Sequence, residues 1–133
     1  MKDELETLIA RAEEARARAY APYSHYQVGA AVRGDNGKIY LGANIENASY
    51  GLALCAERNA VAQAILDGCK TLTGLAVVTS TSPPAAPCGM CRQTLAEFAR
   101  ELPIALGNDR GERAETSLAE LLPRAFHGSD IPG

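Results

Sequence analysis

The run Gly74-Leu75-Ala76-Val77-Val78-Thr79 constrains the fold more than any other stretch. A strand with one wet face alternates apolar and polar residues, whereas this run is nearly continuous in apolar side chains, so it suits a central strand covered on both faces. Helices are then needed on either side of a sheet, and the flanking segments supply them. From Asp3, the residues Leu5, Leu8, Ile9, Ala12 and Ala15 recur at spacings of three and four. Asp3 and Glu6 have capping-box spacing, so a helix is expected up to Ala21-Pro22. Cys55 to Asp67 is rich in Ala, Val, Ile and Leu and stops at Gly68, as a mostly buried helix would. The break Ser82-Pro83-Pro84-Ala85-Ala86-Pro87 leads into a further helix from about Cys88 to Leu102, with Leu95, Phe98, Ala99 and Leu102 on its inner stripe.

The remaining strands follow from turn chemistry. Val28 to Val32 and Lys38 to Leu41 flank Gly34-Asp35-Asn36-Gly37, a hairpin signal. Ile104 to Leu106, a turn at Asp109-Arg110-Gly111, a strand around Arg113 to Glu115 and a capped helix at Ser117 to Glu120 complete the order α-β-β-α-β-α-β-β-α. That order predicts an α/β chain, a three-layer α/β/α sandwich with a mixed five-stranded sheet. At 133 residues, with 47% hydrophobic and 22% charged residues, residues 1–133 are expected to form a single domain around one core.

Four cysteines are present, and their positions carry the chemistry. Cys88-Gly89-Met90-Cys91 puts two sulfurs on one face within the first turn of a helix. Alone, that pair serves a redox dithiol as well as a metal. Cys55 also opens a helix, so three sulfurs lie near helix N-termini, where the partial positive charge favours thiolate; three thiolates suit zinc. Cys69 stands 14 residues after Cys55, roughly 20 Å away at about 1.5 Å per helical residue, too far to share one ion. Cys69 therefore reads as a small buried residue, and a three-ligand zinc keeps an open position that a water can take. Glu57 follows Cys55 by two residues, diverging from it by about 200° around the helix, so it does not chelate with Cys55. It can instead reach over the metal as a proton shuttle; without the cysteines it would read as a helix-N-terminal carboxylate helping the dipole. Arg58 beside it is a candidate to offset the charge of three thiolates, the alternative being a surface arginine.

Cys55-Ala56-Glu57-Arg58 followed by Pro87-Cys88-Gly89-Met90-Cys91-Arg92-Gln93 resembles the zinc site of cytidine deaminases, in the compact class that uses three cysteines. The likeness extends to Tyr20-Ala21-Pro22-Tyr23-Ser24, Val28 to Ala31, Asn44 to Gly51, Glu120 to Pro123 and Ala125-Phe126. The resemblance implies one Zn2+ per chain on Cys55, Cys88 and Cys91. It implies that Glu57 moves a proton to N3 of the base and later to the leaving amine. Asn44 and Glu46 would hold the ribose through its 3'-hydroxyl, and Tyr26 would pack against the pyrimidine. Backbone groups near Ala56 and Cys88 would read the base, Tyr50 would complete the pocket, and Phe126 would reach in from a neighbouring subunit of a homotetramer with shared sites. Read without the resemblance, Asn44 and Glu46 are also what a plain polar turn offers, and Tyr50 and Phe126 what core or interface packing offers. Two departures stand out: Ala43 where many members carry cysteine, and Tyr26-Gln27 in place of a common Phe-Pro. Neither removes a group the chemistry needs. His25 and His127 fall outside the cysteine frame and read as loop residues.

The function so implied is hydrolytic deamination of cytidine and 2'-deoxycytidine in pyrimidine salvage. A deaminase of another aminopyrimidine nucleoside such as blasticidin S is the alternative, and a non-enzymatic zinc module or Cys88/Cys91 redox protein lies further off. A net charge of -3, from 13 Lys+Arg against 16 Asp+Glu, repels a phosphate backbone and disfavours a nucleic-acid partner. No run approaches the roughly 20 apolar residues of a membrane span, and the first residues lack the basic-then-apolar form of an export signal; a cytoplasmic address without membrane partners is expected.

Overall fold

The computed structural model describes residues 2–132. Helix α1 (Lys2–Arg16) is followed by strands β1 (Gly29–Gly34) and β2 (Ile39–Ala43), helix α2 (Ala56–Leu66), strand β3 (Leu72–Thr79) and helix α3 (Gly89–Phe98). Strands β4 (Pro103–Asn108) and β5 (Arg113–Ser117) and the short helix α4 (Leu118–Leu121) complete the order, with 3-10 turns at Tyr50–Leu52 and Gly128–Asp130. The five strands form one mixed sheet in the order β2-β1-β3-β4-β5, β3 and β4 parallel and the other neighbours antiparallel.

The apolar run of β3 sits at the centre, as its lack of alternation requires. Leu75 and Val77 join Ala30, Val32, Ile104 and Leu106 in the core under α2 and α3. Ala76 and Val78 join Ala31 and Ala105 in the core under Leu5, Leu8, Ile9 and Ala12 of α1. The two-residue period of each strand thus sorts side chains into two cores and makes the expected three layers. Small residues bring the layers close: a Cβ at Gly42 would lie 2.3 Å from the Ala56 carbonyl oxygen, so α2 docks on β2 at a distance only glycine permits. Among the described residues no helix is long and apolar enough to cross a membrane.

Three expectations need correction. Helix α1 ends at Arg16, not at Ala21, because Arg18 and Ala19 tighten into i→i-3 bonds and the Tyr20 N–H is taken by the Asn44 carbonyl across the molecule. Asp3 is not its cap: the helix already includes Lys2, so Asp3 lies in the first turn, where its charge suits the dipole, and Glu6 pairs with Arg113 at 3.2 Å. Helix α3 ends at Phe98, since Ala99 is extended at φ -157°, ψ 149°. Leu102 is nevertheless fully buried, entering the core from the approach to β4. Ser117 does cap α4, its hydroxyl accepting from the Glu120 N–H at 3.3 Å.

Candidate metal centre and active site

Cys55 and Cys88 are the N-caps of α2 and α3, each in extended backbone, and neither sulfur bonds its own helix backbone. Their carbonyls open the helices by accepting from Asn59 and Arg92, which leaves both sulfurs free to face elsewhere. Cys91, one turn into α3, is fully buried. The three sulfurs lie within 4.8 Å of one another. Zinc–sulfur bonds of about 2.3 Å in tetrahedral directions separate sulfurs by about 3.8 Å, so the triangle fits one such ion. Cys69 is buried at the far end of α2, its thiol 3.7 Å from the Tyr40 hydroxyl, and takes no part.

The sulfurs and their charged neighbours shift one another's titration. The Cys91 thiol donates toward Cys55, and with the Arg58 guanidinium it pulls the Cys55 thiol down to about 5 despite burial. The Cys91 thiol is pushed up in turn, by that same pairing first and by burial second. Arg58 donates to the Ala53 carbonyl at 3.0 Å and approaches the Cys55 sulfur at 3.8 Å, while its buried Nε has no hydrogen-bond partner among the described residues. Glu57 is only 5% exposed, and burial pushes its carboxyl above the ordinary range, the Cys55 charge acting in the same direction. A carboxyl poised in this way exchanges a proton more readily near neutral pH than an exposed one.

Glu57, Ala56, Cys55 and Cys88 line a cavity of about 250 Å³. Tyr26, Val28 and Asn44 line it too, as do Thr79 at the end of β3 and Ala85 and Ala86 of the segment entering α3. A second cavity of about 330 Å³ is lined by Tyr23, Ser24, Glu46, Asn47, Tyr50 and Ala53. Asn44 and Glu46 are thus divided between two cavities. Both also grip the segment Tyr23 to Val28. The Asn44 Nδ2 donates to the Tyr26 carbonyl at 2.8 Å and its Oδ1 accepts from the Val28 N–H at 2.9 Å. Glu46 Oε1 accepts from the N–H groups of Tyr23 and Ser24 at 2.9 and 3.0 Å, and Oε2 accepts from the Ser24 hydroxyl. The Ser24 hydroxyl is the main reason the Glu46 carboxyl titrates below the usual range.

Tyr50, 76% exposed, meets Tyr23 edge-on at 6.1 Å, and Phe126, 59% exposed, lines neither of these cavities. Packing of Phe126 into its own core is therefore not what the chain does with it. His25, in a left-handed turn at φ 58°, and His127, ahead of the last 3-10 turn, stay outside the sulfur cluster. Thr79, Ala85 and Ala86 carry no sequence signal for this cavity beyond the position of Thr79 at a strand end.

The model for the cytidine and deoxycytidylate deaminase zinc-binding region matches residues 2–105. The chain belongs to this deaminase family. It is 46% identical over 129 residues to a cytidine deaminase of Sporosarcina psychrophila, covering 96% of this chain and 95% of that one. It is 47% identical over 125 residues to one of Halalkalibacterium halodurans, covering 93% and 95%. The crystal structure of cytidine deaminase from Burkholderia pseudomallei superposes with a TM-score of 0.87 at 46% identity, over 91% of this chain and 98% of that one. The chain is accordingly a zinc-dependent hydrolytic deaminase, with Cys55, Cys88 and Cys91 positioned to hold the metal.

Proposed function

We propose that this chain, as a single deaminase domain, hydrolyses free cytidine and 2'-deoxycytidine to uridine and 2'-deoxyuridine with release of ammonia, in pyrimidine salvage. The observation that carries the reading is the buried Glu57 carboxyl in the same cavity as the Cys55 and Cys88 sulfurs. Zinc on the three sulfurs would lower the pKa of a water and polarise it as a nucleophile. Glu57 takes a proton from the attacking water at a carboxylate oxygen and passes it to N3 of the base. As C4 gains the oxygen, the second water proton goes by the same carboxylate to the departing amine, which leaves as ammonia. Arg58 offsets the charge of the thiolates beside it.

Tyr26 packs on the pyrimidine, and the backbone at Ala56 and Cys88 faces the base edge. Asn44 and Glu46 retain acceptor capacity beyond the bonds they make to the Tyr23–Val28 segment, and take the ribose 3'-hydroxyl. Neither cavity is lined by Lys or Arg among the described residues, which favours a nucleoside over a nucleotide or a nucleic acid. The exposure of Tyr50 and Phe126 supports a homotetramer in which a neighbour's Phe126 closes the pocket, since large aromatic faces left in water are a cost that association removes. A cytoplasmic location accords with the thiol chemistry. A spectrophotometric assay of cytidine, deoxycytidine, cytosine, adenosine and blasticidin S side by side tests the substrate class. Turnover of the first two and not the others is expected; turnover of blasticidin S alone would overturn the assignment.

A further inference from the structure

The stretch between β3 and α3 forms part of the cavity wall and carries Cys88, yet it contains three prolines, at 83, 84 and 87, that have no N–H to tie down. Its placement depends on its two ends. The far end is held by Arg92, whose Nε donates to the Pro87 carbonyl at 2.7 Å and whose Nη1 donates to the Leu121 carbonyl at 2.8 Å. The near end is held by Asn108, the last residue of β4 and the parallel partner of Thr79 in register. Asn108 is only 4% exposed and uses its whole side-chain capacity. Its Nδ2 donates to the Thr81 carbonyl at 3.0 Å and to Glu112 Oε1 at 2.7 Å, and its Oδ1 accepts from the N–H groups of Arg110 and Glu112 at 3.0 Å each. Glu112 Oε1 also accepts from the Ser82 hydroxyl at 2.6 Å. That hydroxyl and then the Asn108 amide hold the Glu112 carboxyl below its usual range, so it is an anion at neutral pH. The Thr81 hydroxyl, placed by this anchor, bonds the hydroxyl of Tyr26 in the cavity wall.

We propose that Asn108, clamped by Glu112, is a positioning residue for deamination: it sets the start of the proline-rich segment and, through Thr81, the Tyr26 ring. The inference rests on the deaminase reading. It also gives Tyr26 a reason to be tyrosine, since a phenylalanine there could not join the chain of bonds. Asn108 touches no reacting atom and acts by holding groups that do, where misplacement by about 1 Å can cost on the order of 10²-fold.

The test compares Asn108→Ala, Asn108→Asp and Thr81→Val in the zinc-loaded protein by steady-state kinetics on cytidine, metal analysis and hydrogen exchange. In each variant KM should rise about 10-fold or more, with a smaller fall in kcat, because ground-state and transition-state positioning are both loosened. Zinc should stay at one per chain. The amides of Ala85, Ala86 and Cys88 should exchange faster in the Asn108 variants while those of β3 do not. Thr81→Ser, which keeps the hydroxyl, should restore KM, and Thr81→Val with Tyr26→Phe together should be no worse than either alone. Unchanged KM and unchanged exchange in Asn108→Asp overturn the proposal, as does a uniform rise in exchange across the sheet with KM untouched. Should Asn108→Ala fail to fold, Asn108→Asp and Thr81→Val carry the same comparison. If the unmodified chain leaves cytidine untouched while exchange at residues 85 to 88 responds, the deaminase reading fails and the anchoring role stands.

Discussion

On the α1 face of the sheet, Leu5, Leu8, Ile9 and Ala12 meet Ala31, Ala76, Val78 and Ala105 in a small apolar core. On the opposite face, α2 and α3 pack on a larger core of the same residue types, but their N-termini bring Cys55, Glu57 and Cys88 into the wall of one cavity, with the Cys91 sulfur within 4.8 Å of the other two sulfurs. The difference lies in what the helices present at their ends. One helix laid along a sheet can bury an apolar stripe and little else. Two helices from separate parts of the chain that start at the same point concentrate positive dipole, thiolates and a buried carboxyl there. One face can therefore be altered for stability and the other for chemistry, and substitutions should separate them.

The largest effect should come from the sulfurs. Cys55→Ala, Cys88→Ala and Cys91→Ala should each lose stoichiometric zinc and with it turnover, whereas Cys69→Ala keeps both; metal analysis of purified variants decides this. Zinc lost from the Cys69 variant would show the ligand set to be wrong. Glu57→Gln should keep the metal and the fold while kcat falls by about 10² to 10⁴, the usual value of a general acid-base group. Near-normal turnover in that variant would remove the carboxyl from the mechanism.

The opposite face should respond in the opposite way. Leu8→Ala, which opens a void under a side chain only 1% exposed, should lower unfolding free energy by about 2–5 kcal/mol. Denaturant titration reads that loss, and kcat/KM of the folded enzyme should hardly move. A large kinetic defect there would mean that the two faces are coupled.

Smaller still is the pH response of exposed carboxylates. Asp35 is held below its ordinary value first by the Lys70 N–H, and Glu112 first by the Ser82 hydroxyl. Folded values below unfolded ones mean that each contributes stability above its ordinary value of 3.8 or 4.5, and that the contribution is lost as pH falls through the lower folded value. Glu112→Gln should therefore flatten the acid side of the stability curve; an unchanged slope below about pH 4.5 would assign the effect to other groups.

What the sequence determined by itself is what short-range physics controls. The unbroken apolar run of β3 announced a strand covered on both faces. Helix rise alone separated Cys69 from Cys55, and Ser117 with Glu120 marked the start of α4. Ends and junctions escaped, because partners remote in sequence set them: Tyr20 stops continuing α1 by pairing with Asn44, and Leu102 reaches the core outside any helix. Cys88 and Cys91 are neighbours in any helix, but that Cys55 joins them is decided by the order β2-β1-β3-β4-β5, which brings the starts of α2 and α3 together. The same holds for Asn44 and Glu46, whose amide and carboxylate grip the Tyr23–Val28 segment, and for Asn108, unremarkable at a strand end until its four hydrogen bonds are counted. A residue's type limits which bonds it can make; only the packed chain decides which partners are within reach to make them.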